Sequence, residues 1–382
     1  MASVMSFPTR IVYGKGAIKE LPGELKRAGA SRPLLVTDKG ILQAGLLRFV
    51  TPLLEQAGIH AQLFSEFEAN PTDRDALRGI EAYRAAKADS VLGVGGGASL
   101  DMAKAVALLV NHPPPLAQYD DAKGGDARIT QPVPPILQVP TTAGTGSEVG
   151  RSTVLVIDGT KVVIFSPALM AKAAILDPEL TVGLPPFITA ATGMDALTHN
   201  LEAYVAKGDH PLADAIALDG LRRIGKHLAR AVKDGKDLEA REQMLLGSAF
   251  GAIAFQKGLG ACHSVAHALT PVAGTHHGLA NSLMLPAVVN FNRAAAEQRL
   301  ATAAVALGAD PAMSVQERAH RCVELVDDLR GACGLPRRLS QAGVRREMIP
   351  KIVEKSLADA CHQSNPRPVT KADFERLIDE SF

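Results

Sequence analysis

The chain has no tryptophan, and only 4% of its residues are aromatic. It therefore has few of the side chains on which proteins stack single-stranded bases. Positive and negative residues nearly balance, at a formal net charge of +1, and no long run of one sign occurs. These absences argue against nucleic acid or an anionic membrane as the main partner.

Cysteine is equally scarce. The four cysteines are Cys262, Cys322, Cys333 and Cys361, and no two of them form a CxxC motif. Such isolated positions indicate buried, reduced thiols rather than a disulfide framework or a zinc cluster. The first ten residues lack the pattern of a signal or transit peptide, and no apolar run reaches the length of a membrane span. We therefore expect a cytoplasmic protein.

The length of 382 residues exceeds what one hydrophobic core usually covers, and 47% of the residues are hydrophobic. Up to about residue 185, short apolar runs alternate with helical stretches; the runs are 33–37, 61–64, 90–94 and 135–139. This alternation predicts an α/β domain over residues 1–185, with a mostly parallel sheet covered on both faces. Segments 153–157 and 161–165 flank Asp158-Gly159 and predict a hairpin appended to that sheet.

After Pro186 the strand signal disappears and helical periodicity replaces it. Apolar residues recur at helical intervals, namely Leu212, Ile216, Leu221, Ile224, Leu228 and Val232. Segments 297–307 and 315–329 show the same helical spacing of apolar residues. Residues 186–382 are therefore predicted to form a second, all-helical domain.

Two pairs of residues with metal-binding side chains are each spaced four residues apart. Asp195 precedes His199, and His263 precedes His267, with His277 ten residues further on. On a helix this spacing places both side chains of a pair on one face, within reach of a single ion. One carboxylate and several imidazoles suit Fe²⁺ or Zn²⁺. Ordinary helix histidines, satisfied by backbone or solvent, are the alternative.

A second motif, Gly95-Gly96-Gly97, lies where an apolar strand meets a helix. Backbone N–H groups and the positive end of the helix dipole would face a bound phosphate there, so we predict a pyrophosphate cradle. A tight turn with no ligand is the alternative. Asp38 follows the strand that ends at Thr37, where a carboxylate could accept ribose hydroxyls and repel a 2′-phosphate, which favours NAD over NADP. A turn or cap residue is the alternative.

These motifs resemble those of the iron-containing (group III metal-dependent) alcohol dehydrogenase family. The resemblance rests on Gly95-Gly96-Gly97-x-x-x-Asp101-x-x-Lys104, Pro140-Thr141-Thr142-Ala143-Gly144-Thr145, Asp177-Pro178-Glu179-Leu180-Thr181, residues 190–199 and His277-Gly278-Leu279-Ala280-Asn281. The segments follow the family's order and spacing over nearly the whole chain. The resemblance implies a Rossmann-like N-terminal domain, an all-helical C-terminal domain, and a cleft between them that holds NAD(P) and a divalent metal.

The resemblance also assigns roles by position. It implies that the metal ligands are Asp195, His199, His263 and His277, and that His267 is the non-ligating histidine beside the nicotinamide. We predict catalytic roles for these five residues, His267 either relaying a proton or supporting the ligand one turn earlier. The predicted cofactor contacts are Asp38, Asn70, Gly95, Gly96, Gly97, Ser99, Asp101, Thr141, Thr142, Thr145, Lys161 and Leu180.

The chain departs from the family pattern in three places. Ala98 stands where serine is usual, although Ser99 beside it offers a hydroxyl; segment 268–270 lacks the usual Pro-Leu-Gly; and the loop 255–260 is one residue short and carries Lys257. We hypothesise that Lys257 holds the carboxylate of an ω-hydroxy acid such as 4-hydroxybutyrate. A solvated lysine is the alternative.

The predicted function is reversible hydride transfer between a small alcohol and NAD, with the metal (Fe²⁺ or Zn²⁺) acting as Lewis acid on the alcohol oxygen. Two alternatives remain: an NAD- and metal-dependent lyase similar to dehydroquinate synthase, and a metal-dependent hydrolase. The apolar strand 10–13 favours pairing across a two-fold axis, so we expect a homodimer.

Overall fold

The computed structural model of the protein describes Phe7 and residues 9–68 and 70–382. The chain divides into two compact units. The α/β unit comprises Phe7–Thr142 and Gly146–Gly183, and the helical unit includes Ala143–Thr145 and Leu184–Phe382. Among the described residues, no helix combines the length and apolarity needed to cross a lipid bilayer.

The α/β unit holds eight strands and five α-helices among its described residues. The strands are β1 (Arg10–Tyr13), β2 (Pro33–Val36), β3 (Gln62–Phe64), β4 (Ser90–Gly95), β5 (Ile136–Pro140), β6 (Ser152–Ile157), β7 (Thr160–Phe165) and β8 (Ala173–Leu176). The helices are α1 (Leu21–Arg27), α2 (Lys39–Gln43), α3 (Thr51–Gln56), α4 (Asp73–Ala85) and α5 (Gly97–Asn111).

Six strands form a parallel sheet in the order β1-β8-β5-β4-β2-β3. Successive residues of β2 point to opposite faces, so Leu34 and Val36 join one hydrophobic cluster and Leu35 joins the other. Both faces are therefore covered, as parallel sheets require. The predicted parallel α/β architecture is confirmed.

The predicted hairpin exists, but its place in the fold differs from the prediction. Strands β6 and β7 pair antiparallel through a turn at Asp158 (φ 49°) and Gly159 (φ 72°), and they form a separate two-stranded sheet. Their buried residues Leu155 and Ile164 belong to the cluster that contains Met102 of α5. The hairpin thus buries its apolar face in the helix-covered core instead of extending the main sheet.

The helical unit has no strand among its described residues, which confirms the predicted all-helical region. Its helices are α6 (Pro186–Val205), α7 (Pro211–Lys233), α8 (Leu238–Ala254), α9 (Ala261–Ala273), α10 (His277–Asn292), α11 (Glu297–Ala306), α12 (Val315–Ala332), α13 (Ile349–Ala358) and α14 (Lys371–Glu380). Helix α6 is buried almost all round, from Thr189 to Val205. A helix enclosed in this way is held rigidly, which suits it to carry a site.

Helix α7 packs against α6 through small residues. A Cβ atom added to Gly220 would lie 2.6 Å from the Cγ atom of Asn200 on α6, so the two helices approach too closely for any side chain there. Ala213 and Ala217 are buried on this face, whereas Leu212 is 46% exposed. Small residues, not only large ones, therefore form this interface.

Candidate active site

The helical unit brings one carboxylate and three imidazoles together. Helix α6 carries Asp195 and His199, while His263 lies in the first turn of α9 and His277 opens α10. The Asp195 Oδ1 atom lies 4.0 Å from the Nε2 atom of His199, 3.8 Å from that of His263 and 3.5 Å from that of His277. A ring nitrogen of each of the three histidines therefore lies within 4.0 Å of Asp195.

These separations fit a shared cation. Ligand atoms bound to one ion at about 2.0–2.2 Å lie about 3–4 Å from one another. The donor atoms of Asp195, His263 and His277 all lie within 4.8 Å of each other. His199 is outside this group; its Nε2 atom lies 4.0 Å from Asp195 Oδ1, and its ring stacks on that of His263 with centroids 4.6 Å apart. An oxygen and three imidazole nitrogens suit Fe²⁺ or Zn²⁺.

The protonation of the imidazoles follows from their surroundings. Burial lowers the pKa of His199 to about 4, so this ring is neutral near pH 7 and has a lone pair to offer a metal. At His263 burial opposes protonation, but the hydrogen bond and charge of Glu202, together with Asp195, raise the pKa. A metal at this site would compete with a proton for His263.

Glu202, which sequence reasoning missed, orients His263. The Nδ1 atom of His263 donates to Glu202 Oε2 at 2.6 Å, and the backbone N–H groups of Cys262 and His263 donate to the same carboxylate at 2.7 and 3.3 Å. One carboxylate thus caps helix α9 and leaves Nε2 of His263 facing Asp195. Its position three residues after His199, on the same helix face, was the available signal.

Asn281 ends the motif that begins at His277, and sequence reasoning assigned it no role. Its side-chain nitrogen donates to Asp195 Oδ1 at 2.7 Å and lies 3.3 Å from the Nε2 atoms of both His263 and His277. The amide therefore links three of the four donor atoms. Asn281 lies one helical turn after His277, and we infer that it holds Asp195 in place.

His267 lies beside the four converging residues but has different partners. Its ring stacks on that of His277, with centroids 5.3 Å apart, while its Nδ1 atom lies 2.8 Å from Asp359 Oδ2. Together with Cys361, these two residues form a second group whose donor atoms lie within 4.8 Å of one another. Sequence reasoning missed Asp359, which lies 92 residues further along the chain.

Lys257 does not behave as hypothesised. Its Nζ atom forms an ion pair with Asp214 at 2.6 Å and donates to the Tyr204 carbonyl at 3.0 Å, and its side chain is only 2% exposed. Arg299 shares the same Asp214 oxygen at 2.6 Å. This internal pairing contradicts both the free ammonium that a substrate carboxylate would need and the solvated alternative.

The α/β unit places the glycines of the predicted cradle where β4 ends and α5 begins. Gly95 ends β4 with φ 150°, and an added Cβ atom would lie 2.7 Å from Ser99 Cβ, so this position requires glycine. No side chain among the described residues caps α5 at Gly96. The N–H groups at the start of α5 are therefore available to an anion.

Asp38 faces this cradle from the end of the adjacent strand. Its Oδ2 atom accepts a hydrogen bond from Ser99 Oγ at 2.7 Å, and its Oδ1 atom accepts one from the Ile41 N–H at 3.1 Å. A Cβ atom added to Gly95 would lie 3.2 Å from Asp38 Oδ2. The carboxylate that the sequence predicts for ribose recognition thus lies against the glycines, and it also caps helix α2.

The other predicted cofactor contacts occupy several elements. Thr141 donates its N–H to the Gly95 carbonyl at 2.9 Å, and the Thr142 methyl group lies 3.4 Å from a Cβ atom added to Gly96. Gly97 is the first residue of α5, and Asn70 is exposed just before α4. Lys161 lies on β7, and Leu180 is buried in the 3-10 turn Pro178–Thr181. Thr145 belongs to the helical unit.

Asp101 and Lys104 of α5 hold the loop after β5. The Nζ atom of Lys104 donates to the carbonyls of Ser147, Gly150 and Ser152 at 2.6 to 2.9 Å, and Asp101 accepts from the Ser147 hydroxyl at 2.6 Å. Glu148 is buried in the same loop. Burial lowers the pKa of Lys104 to about 8 and raises the pKa of Glu148 to about 7.

This loop predicts a pH dependence of stability. Because the folded state keeps the Glu148 proton up to about pH 7 whereas the unfolded chain releases it near 4.5, the stability falls as pH rises between those values. Glu148→Gln removes this pH-dependent contribution to the free energy of unfolding. Its size is on the order of 3 kcal/mol, since each pKa unit corresponds to about 1.4 kcal/mol. We expect a flatter Tm profile from pH 5 to 7 for the variant than for wild type or for Glu55→Gln, an exposed control. Identical slopes would contradict the assignment.

Two family profiles match the chain. One, described as iron-containing alcohol dehydrogenase, matches residues 8–178, and one, described as Fe-containing alcohol dehydrogenase family, C-terminal, matches residues 189–382. The chain is 40% identical to 4-hydroxybutyrate dehydrogenase of Cupriavidus necator, over 98% of each chain. It is 35% identical to NAD-dependent methanol dehydrogenase of Bacillus methanolicus, over 97% of each chain.

Solved structures agree with the sequence relatives. A 1,3-propanediol oxidoreductase structure superposes with a TM-score of 0.95 at 34% identity, covering 100% of both chains. The matches therefore extend over the α/β unit and the helical unit alike. The helical unit contains the carboxylate and the three imidazoles, and the α/β unit contains the three glycines. The chain belongs to the iron-containing alcohol dehydrogenase family.

Proposed function

We propose that this protein transfers hydride reversibly between a small alcohol and NAD, with Fe²⁺, or Zn²⁺ in its place, held by Asp195, His199, His263 and His277. The observation that carries the proposal is the convergence of three Nε2 atoms within 4.0 Å of Asp195 Oδ1. Membership of the family and the similarity to an NAD-dependent relative support the choice of cofactor.

The metal and the protein side chains have different roles in the proposed reaction. A divalent cation held by Asp195, His199, His263 and His277 would supply a Lewis acid and would lower the pKa of an alcohol hydroxyl, as a bound metal lowers the pKa of water from about 16 to about 7. His267 takes up the proton that the alcohol releases, because a ring nitrogen of an imidazole can accept a proton from a hydroxyl within hydrogen-bond reach. Glu202 and Asn281 keep His263 and Asp195 oriented throughout.

For the substrate we propose a small alcohol, a diol or an ω-hydroxy acid such as 4-hydroxybutyrate. The 40% identity to a 4-hydroxybutyrate dehydrogenase supports this range. Lys257 is not the partner of a substrate carboxylate, because Asp214 already neutralises it. We therefore expect the Lys257→Ala variant to keep the wild-type preference between a hydroxy acid and the matching simple alcohol.

The experiment that tests the function loads the purified protein with Fe²⁺ under anaerobic conditions, or with Zn²⁺, and adds NAD⁺ with a panel of alcohols. The panel contains 4-hydroxybutyrate, 1,3-propanediol and straight-chain alcohols, and NADH is followed by its absorbance. Metal-dependent NADH formation is the expected result. Activity without NADH formation on ester or phosphoanhydride substrates would instead indicate a hydrolase, and conversion of a phosphorylated acid with no net NADH would indicate a lyase similar to dehydroquinate synthase.

Cofactor choice has its own test at Asp38. Asp38→Asn keeps an oxygen that accepts from the Ile41 N–H and places an NH₂ group towards the Ser99 hydroxyl, which can accept from it, but the variant removes the charge that repels a 2′-phosphate. We expect kcat/KM for NADP⁺ to rise about tenfold relative to that for NAD⁺, which corresponds to about 1.4 kcal/mol. Asp121→Asn, at an exposed position of the same unit, is the control. An unchanged ratio of the two cofactors would rule out this role for Asp38.

We further propose that the protein is a cytoplasmic homodimer. Strand β1 lies at one edge of the sheet, with β8 as its partner on the inner side and Tyr13 59% exposed. Edge strands of this kind favour pairing with a second copy. Free, mostly buried cysteines favour a reducing compartment.

A further inference from the structure

Asp359 lies at the end of α13 and is held in one orientation. Its Oδ1 atom accepts hydrogen bonds from the Ser264 hydroxyl and the Cys361 N–H, both at 2.8 Å. The other oxygen, Oδ2, lies 2.8 Å from Nδ1 of His267. The carboxylate therefore has one oxygen committed to the protein framework and one turned to His267.

Ser264 makes this orientation hard to change. Its Oγ atom accepts a hydrogen bond from the His362 N–H at 2.9 Å, so its own proton is the one donated to Asp359. The Cys361 N–H is fixed by the backbone, and it too needs an acceptor at the Oδ1 position. The segment 359–362 is thus clamped onto α9 one residue beyond His263.

A carboxylate opposite Nδ1 determines the tautomer of His267. An ionised carboxylate only accepts hydrogen bonds, so Nδ1 of the neutral ring must carry the proton and Nε2 must carry the lone pair. Burial acts to raise the pKa of Asp359, but hydrogen bonds from His267, Cys361 and Ser264 hold it well below its usual value. The carboxylate is consequently ionised at neutral pH.

We propose that Asp359 is a positioning residue that fixes His267 as its Nδ1–H tautomer and so keeps Nε2 ready to receive the substrate's proton. The inference rests on the relay role given to His267 in the proposed function. In the step, the alcohol O–H bond breaks and an Nε2–H bond forms, while the hydride leaves carbon for NAD⁺. The resulting imidazolium donates from Nδ1 to the Asp359 carboxylate, which stabilises its charge.

The variant Asp359→Asn makes a specific structural prediction. Because Ser264 and Cys361 both donate to the Oδ1 position, the asparagine must place its oxygen there and its NH₂ group towards His267. That NH₂ group donates to Nδ1, which transfers the ring proton to Nε2. The nitrogen that should receive the substrate's proton then already carries one.

The test combines rates, metal content and the tautomer itself. We expect kcat of Asp359→Asn to fall about 10- to 100-fold, as for other residues that orient a functional histidine, with metal content unchanged. In a His267→Ala background the same substitution should change kcat less than about twofold, because the two residues act as one unit. Glu354→Gln, an exposed carboxylate on α13 paired with Lys351, is the matched control in both backgrounds.

The tautomer is read by long-range ¹H–¹⁵N correlation spectra of the zinc-loaded, histidine-labelled protein, with His267→Ala used for assignment. We expect Nδ1–H in wild type and Nε2–H in Asp359→Asn. Finding the Nε2–H tautomer in the wild-type protein would overturn the inference, even if the variant fails to fold. An equal loss of kcat on Asp359→Asn in the wild-type and the His267→Ala backgrounds would also overturn it. If His267→Ala itself keeps full kcat, the relay in the proposed function fails instead.

Discussion

Replacing His263 with alanine should remove the bound metal and nearly all dehydrogenase activity. His263 is 1% exposed, its Nε2 atom lies 3.8 Å from Asp195 Oδ1, and Glu202 fixes its other nitrogen. Losing this ligand forfeits the Lewis-acid contribution of several kcal/mol, and each 1.4 kcal/mol is worth about tenfold in rate. We therefore expect kcat to fall by about 10³-fold or more, with metal content measured by mass spectrometry.

His267→Ala is the matched comparison for this variant. The two histidines lie one turn apart on α9, but Nδ1 of His267 is bonded to Asp359 and not to the ligand cluster. We expect this variant to retain its metal and to lose about 10²-fold in kcat, the lower end of the range for proton transfer. Equal metal loss in both variants would show that His267 is itself a ligand.

The second large effect is expected at Gly278, which follows the ligand His277. A Cβ atom added there would clash with the backbone of Ala191 on α6, lying 2.7 Å from its carbonyl carbon, and it would lie 3.3 Å from Asp195 Cβ. A backbone group cannot rotate away, so Gly278→Ala must push α10 from α6 and move His277 from Asp195. A displacement of about 1 Å at such a site costs about 10²-fold in rate.

The measurements for Gly278→Ala are metal affinity, kcat and Tm. We expect weaker metal binding and a stability loss of about 1–3 kcal/mol from overpacking. Gly23→Ala on α1 is the control, because an added Cβ atom there meets nothing within 4 Å. Normal metal binding by Gly278→Ala would mean that α6 and α10 do not need their present spacing to hold the four ligands.

The sequence predicted those features that depend on local periodicity. The apolar run that became β4, followed by glycines and a helix, was recognisable because each residue of the strand is buried. The i, i+4 spacing of Asp195 and His199 was likewise readable, because both lie on one helix. Strand β8 was not predicted, because its four residues begin with two alanines, and alanine favours helices.

The supporting residues of the site were not predictable in the same way. Asp359 contacts His267 across 92 positions of the chain, and Asn281 contacts Asp195 across 86. No periodicity links positions so far apart, because the packing of α6, α9 and α10 brings them together. Lys257 shows the converse: it looked like a free cation in sequence, and only the fold reveals Asp214 beside it.

The close contact between α6 and α7 limits how this protein can be made more heat-resistant. Exchanging glycine for alanine inside a helix ordinarily gains up to about 1 kcal/mol of helix propensity. At Gly220 the neighbouring Asn200 already fills the space that a methyl group would need, and at Gly193 the Cδ2 atom of Leu228 on α7 lies 3.1 Å from an added Cβ atom. Thermostabilising substitutions must therefore be sought outside this interface, at glycines whose surroundings are open.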